Sequence, residues 1–212
     1  MLWVITVVDY DPAWPPRFEV LRQEYARAMA AADVPVVAIE HVGSTSVPGL
    51  AAKPVIDCDI IVAPADVEAA SAVLVGLGFR PLGELGIPRR WAFKEPARLA
   101  GTNTYVIVEG ALSLRNHLCV RDVLRSNAAL REEYAAVKLR VAATAANIDE
   151  YGRGKNATIQ RILAAGGMND AERASIDANL VPSHETLPRS YGSPSEQYDD
   201  KQSAEKDHRD HG

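Results

Sequence analysis

The run His41-Val-Gly-Ser-Thr-Ser-Val-Pro-Gly-Leu-Ala-Ala-Lys-Pro-Val-Ile-Asp-Cys-Asp-Ile-Ile-Val62 joins a turn of small residues to a strand carrying two carboxylates. Side chains alternate across a strand, so Val55, Asp57, Asp59 and Ile61 share one face and Ile56, Cys58, Ile60 and Val62 the other. A strand this apolar reads as buried in a sheet, where neighbouring like charges repel and lose hydration. Something cationic is expected between them. Hard divalent ions take oxygen ligands, and Mg²⁺ is commonly held by one or two carboxylates together with substrate phosphates. Gly43 and Ser44, just upstream, offer unhindered backbone amides and a hydroxyl suited to phosphate oxygens. Metal and phosphate are therefore expected to meet at one site.

A Gly43-Ser44 turn followed at this distance by Asp57-x-Asp59 resembles the signature of the polymerase-β-like nucleotidyltransferase superfamily. The continuous text from His41 to Asp57 is similar to the GrpB family within it. The resemblance spans roughly Tyr10 to Leu163. It implies an α/β (α+β) fold, a nucleotidyltransferase-like mixed sheet flanked by helices. It also implies Mg²⁺ or Mn²⁺ on Asp57 and Asp59, with the phosphates of a nucleoside triphosphate on Gly43 and Ser44. The activity so implied moves a nucleoside monophosphate to a small-molecule or protein acceptor. The alternative is a non-catalytic module binding a nucleotide or a coenzyme-A-related ligand, since GrpB-like domains also occur fused to dephospho-CoA kinases. No Gly-x-x-x-x-Gly-Lys-Ser/Thr loop is present to support kinase chemistry. A third reading has the aspartates pairing with Lys53 and Arg90 in a plain scaffold.

With 212 residues, 47% of them hydrophobic, the chain is long enough for one well-buried domain. No apolar run approaches the roughly 20 residues needed to cross a bilayer, and Met1 to Tyr10 lacks the pattern of a signal peptide. A soluble, cytoplasmic protein is expected. Cys58 and Cys119 lack metal-ligand spacing and read as small buried hydrophobes. The formal charge of -5 comes from the stretch after Met168, which carries ten acidic and five basic side chains. The remaining body is balanced, so neither a nucleic-acid nor a membrane partner is favoured.

Asp9 to Pro12 is turn chemistry after a short strand or arm over Leu2–Val8. The family's members start with Asp-Pro-x-Trp, matched by Asp11 to Trp14. Phe18, Leu21, Tyr25, Ala28 and Met29 then recur at helical spacing, predicting a helix from about Pro15 to Ala31. Val34 to Ile39 reads as a strand delivering His41 to the turn. His41 either contacts phosphate, acts as an acid or base, or fixes the loop. Lys53 either neutralises phosphate or balances the aspartates. Val67 to Leu77 is an apolar helical stripe, and Phe79 to Leu82 the strand that returns to the same sheet.

Arg89 to Lys94 reads as a strand, within a segment similar to the family's Ile-Pro-x-Arg-Arg-aromatic. Arg90 carries over as a phosphate contact, suited to it by the planar guanidinium fork. Thr102 to Val108 is a further strand, and here the chain departs from its relatives. Polymerase-β-like enzymes supply a third carboxylate and many GrpB members a histidine-rich segment, where this chain has Asn103, Thr104 and Tyr105. Glu109, at the strand's end, is the remaining acid.

Leu114 to Arg125 is similar to the family's His-Leu-x-Phe-Arg-Asp-Tyr-Leu-Arg. It places His117 and Arg121 as further contacts, or Arg121 as an internal partner of Asp122. A helix follows from Asn127 with Leu130, Tyr134, Val137, Val141 and Ala145 on one face. Lys138 reads there as solvated surface. Ile148 to Ala164 forms a final helix. The family's Tyr-x-x-x-Lys-x-x-x-Ile is matched by Tyr151, Lys155 and Ile159, with Lys155 either reaching the triphosphate or lying on the surface. Residues 1–168 form the domain. Residues 169–212 read as an acidic, disordered tail with room for a short helix near Ala171 to Leu180, because so polar a stretch buries too little to offset its ordering entropy.

Overall fold

The computed structural model describes residues 5–179. Helix α1 (Trp14–Ala31) leads to strand β1 (Ala38–Val42), a 3₁₀ turn over Ser44–Ser46 and strand β2 (Ile56–Val62). Helix α2 (Val67–Gly76) connects to β3 (Arg80–Gly83) and β4 (Arg90–Lys94), followed by β5 (Thr102–Val108). Four helices complete the described chain: α3 (Leu112–Ser126), α4 (Ala128–Ala142), α5 (Ile148–Ala165) and α6 (Asp170–Asn179). The five strands form one sheet in the order β1-β2-β5-β4-β3. The β2–β5 pair is parallel and the other pairs are antiparallel.

The alternation of β2 decides what covers each face. Ile56, Cys58, Ile60 and Val62 are fully buried against Phe18, Tyr25 and Met29 of α1 and Leu74 of α2. On the other face Ile61 and Ile107 pack under Leu114 and Leu118 of α3. A second helical layer forms where Leu124, Tyr134 and Ile162 of α3, α4 and α5 meet. Val47 and Leu50, both wholly buried, plug the turn after Gly43 into that layer. The turn is thus held between sheet and helices.

Strand β1 begins four residues later than the expected Val34 and takes in His41, which pairs with Cys58. Of the arm expected over Leu2–Val8, Val8 makes a single bridge to Ala52, and residues 1–4 lie outside the described residues. Helix α6 falls within the stretch read as tail, where Ile176 packs on Leu163 and Met168. The rest of that stretch, from residue 180, lies outside the described residues. Among the described residues no helix is long and apolar enough to cross a membrane.

Candidate functional site

Asp57 is the second residue of β2, and the register sets it beside Asn103, the second residue of β5. Asn103 Nδ2 donates to Asp57 Oδ1 at 2.7 Å. The strand expected to supply a third carboxylate therefore sets an amide beside the first. Glu109 does not substitute for it. It lies beyond the last β2–β5 pair, six residues past Asn103, or about 20 Å along the strand. Its backbone N–H bonds Val62 O at 2.9 Å.

Gly43 is pressed against Asp57. Its φ is +69°, and a Cβ there would lie 2.1 Å from Asp57 Oδ2. Glycine is required both for the left-handed backbone and for the close approach. Ser44 follows, its side chain close to Tyr134 of α4. Arg125 of α3 fastens the turn from behind, donating through Nε and Nη2 to Ser46 O at 3.0 and 2.8 Å.

In front of Asp57 is a cavity of about 130 Å³ lined by Ser44, Thr45, Lys53, Val55, Asp57, Asn103, Lys138, Tyr151 and Lys155. Three lysines reach it from three parts of the chain, against one carboxylate. Lys155 Nζ sits 4.0 Å from the Tyr151 ring centroid. Burial, and then the Lys53 charge, lower Lys155 to about 8. Lys138 corrects the surface reading: it is only 2% exposed, and its ammonium donates to Ala51 O. Burial, helped by Lys155, lowers it to about 7. Burial also lowers Lys53, with Asp57 opposing. Asp57 is raised, chiefly by burial, while the Asn103 hydrogen bond pulls the other way.

Asp59 shares the sheet face of Asp57 and is wholly buried. His117 of α3 donates through Nδ1 to Asp59 Oδ2 at 2.7 Å. Burial on its own would lower His117, but the charge and hydrogen bond of Asp59 outweigh it and the imidazole is raised. Asp59 Oδ1 is buried without a hydrogen-bond partner.

The other residues singled out from the sequence lie elsewhere. His41 projects to the opposite sheet face, stacked on Phe18 at 4.6 Å with Nε2 3.1 Å from Thr45 Oγ1. Burial lowers it to about 4. It fixes the turn from the α1 side. Arg90 is absent from the cavity lining and packs its guanidinium 4.7 Å from the Tyr105 ring centroid. Arg121 Nη1 donates to Glu40 Oε2 at 2.6 Å and to His41 O at 3.2 Å, and its Nε to Asp122, clamping α3 to β1.

The expected metal can be tested against these donors. Asp57 and Asp59 share a face, but each already has a protein partner, and β5 sets the amide of Asn103 beside Asp57. Among the described residues no three His, Cys, Asp or Glu groups converge to hold an ion. As arranged, the set does not fit a resident divalent cation.

A five-stranded mixed sheet with helices on both faces, and a Gly-Ser turn set against a strand aspartate, define an α/β domain of nucleotidyltransferase-like fold. The profile of the GrpB protein family matches residues 4–165, and the chain belongs to that family. It is 30% identical over 160 residues to the UPF0157 protein YqkA of Bacillus subtilis, a match covering 74% of this chain and 45% of that protein. To the UPF0157 protein BH1888 of Halalkalibacterium halodurans it is 33% identical over 163 residues, covering 75% and 80% respectively. The chain thus spans less than half the length of the Bacillus relative. The crystal structure of the conserved protein GrpB from Enterococcus faecalis superposes with a TM-score of 0.66 at 30% identity, covering 76% of this chain and 96% of that one. A chain from the GLD-2/RNP-8 complex superposes with a TM-score of 0.51 at 12% identity, covering 85% and 70%, a likeness of fold alone.

Proposed function

We propose that this protein binds the phosphates of a nucleoside triphosphate in the cavity between the Gly43-Ser44 turn and helices α4 and α5. The observation that carries this reading is the convergence of Lys53, Lys138 and Lys155 on one small cavity against the single charge of Asp57. Burial lowers Lys138 and Lys155, and an anion in the cavity would favour their charged forms. The cavity is well below the roughly 300 Å³ at which pockets enclose a drug-sized ligand. It suits phosphate groups, with the nucleoside outside. Affinity then depends weakly on the base, and the reading places the protein in the cytoplasm, where such ligands are abundant.

Nucleotidyl transfer to a small-molecule or protein acceptor with Mg²⁺ or Mn²⁺ is the second reading, and the unpartnered Asp59 Oδ1 favours it. It requires Asp59, wholly buried and absent from the cavity lining, to be uncovered when ligand arrives. Isothermal titration of ATP, UTP and inorganic tripolyphosphate, with a pyrophosphate-release assay, tests both. Binding of all three with affinities within about tenfold, lost in Lys155→Ala, supports the phosphate reading. Release of pyrophosphate that vanishes in Asp57→Asn supports transfer.

A further inference from the structure

We propose that this site binds phosphate without a resident metal ion, its carboxylates being engaged by side chains of the protein and its lysines supplying the positive charge. The proposal rests on the phosphate-binding reading and goes beyond it by assigning where the counter-charge comes from.

The two aspartates, adjacent on one sheet face, have been drawn into separate partnerships. Asp57 receives the Asn103 amide on one oxygen, and its other oxygen packs against the bare Cα of Gly43. Asp59 is sealed under α3 with the His117 imidazole on Oδ2. One oxygen of each carboxylate is thus already taken by a side chain of the protein. Asp59 Oδ1 remains without a hydrogen bond, but Asp59 is absent from the cavity lining and wholly buried. A cation in the cavity does not meet it.

The lining itself argues the same way. Hard divalent ions favour sites where anionic and carbonyl oxygens surround them. Here one carboxylate stands among three ammonium groups, and a divalent ion would be repelled by most of its neighbours. An oligophosphate reverses every one of those interactions. Each lysine has three N–H donors, and Lys138 spends one on Ala51 O. The rest, with Tyr151 beside them, are available to phosphate oxygens.

The test uses the full chain and two probes, inorganic tripolyphosphate and ATP, titrated calorimetrically in excess EDTA and again with Mg²⁺. Mn²⁺ alone is titrated separately. The expected result is binding in EDTA at least as tight as with Mg²⁺, because Mg²⁺ neutralises part of the ligand's charge. Lys155→Ala weakens binding about tenfold or more, and Mn²⁺ alone does not bind. Binding seen only with metal overturns the proposal and leaves the phosphate reading standing. So does stoichiometric binding of Mn²⁺ alone that Asp57→Asn abolishes. No binding of either probe in any arm overturns the phosphate reading and the proposal with it. The EDTA comparison is made on the unmodified chain, so the outcome holds even if a variant fails to fold.

Discussion

Gly43 meets two demands at once, a φ of +69° and an approach to Asp57 that leaves no space for a methyl group. Alanine there would be strained and would drive the carboxylate from its place. Gly43→Ala is expected to lower stability by about 3 kcal/mol, measured by urea unfolding. Lys138 presents the opposite balance. Its ammonium is buried against the Ala51 carbonyl and the Tyr134 ring, 5.0 Å from the ring centroid, so Lys138→Met should raise stability by about 1–2 kcal/mol at pH 6 while weakening phosphate binding. The pH dependence follows from its lowered pKa. Folded Lys138 loses its proton near 7, whereas the unfolded side chain keeps it to about 10.5. Between those values the unfolded state holds more protons, so stability contributed at this site rises with pH, and the advantage of Lys138→Met shrinks from pH 7 to pH 10. Phosphate affinity should move the other way, falling between pH 7 and 9 as Lys138 and then Lys155 lose charge. Titrations across that range check both trends.

Helix α3 joins the site to the rest of the fold. Arg121 ties it to Glu40 and the His41 carbonyl of β1, Arg125 ties it to the turn at Ser46, and His117 covers Asp59. Arg125→Ala should free the turn, weakening tripolyphosphate binding about tenfold at a cost in stability of about 1–2 kcal/mol. Calorimetric titration and thermal melting of the same variant separate the two effects. The elements themselves were readable. The apolar spacing in 18–29 and the β-branched run in 102–108 predicted α1 and β5, and both are observed. The face on which Lys138 lies was not. It stands four residues after Tyr134, at the edge of the apolar stripe, and only the packing of α4 onto the 47–55 loop turns that edge inward.

Over the whole described chain, one sheet and two helical layers meet at the turn. Helix α6 belongs to the second layer, since Ile176 is buried with Leu163 and Met168. Ile176→Ala should cost about 2 kcal/mol, read as a lower melting temperature with phosphate affinity unchanged. The sequence by itself determined the alternation of β2, and with it the shared face of Asp57 and Asp59. It also determined the Gly-Ser turn, most of the helices and the family likeness. These depend on local sterics and short-range periodicity. Only the tertiary structure decided that Asn103 stands beside Asp57 and Glu109 far from it, that His117 hydrogen-bonds Asp59, and that His41 faces away. It likewise decided that Lys53, Lys138 and Lys155 share one cavity. Strand register and helix docking are set by burial summed over distant segments, and no local run of residues carries that sum.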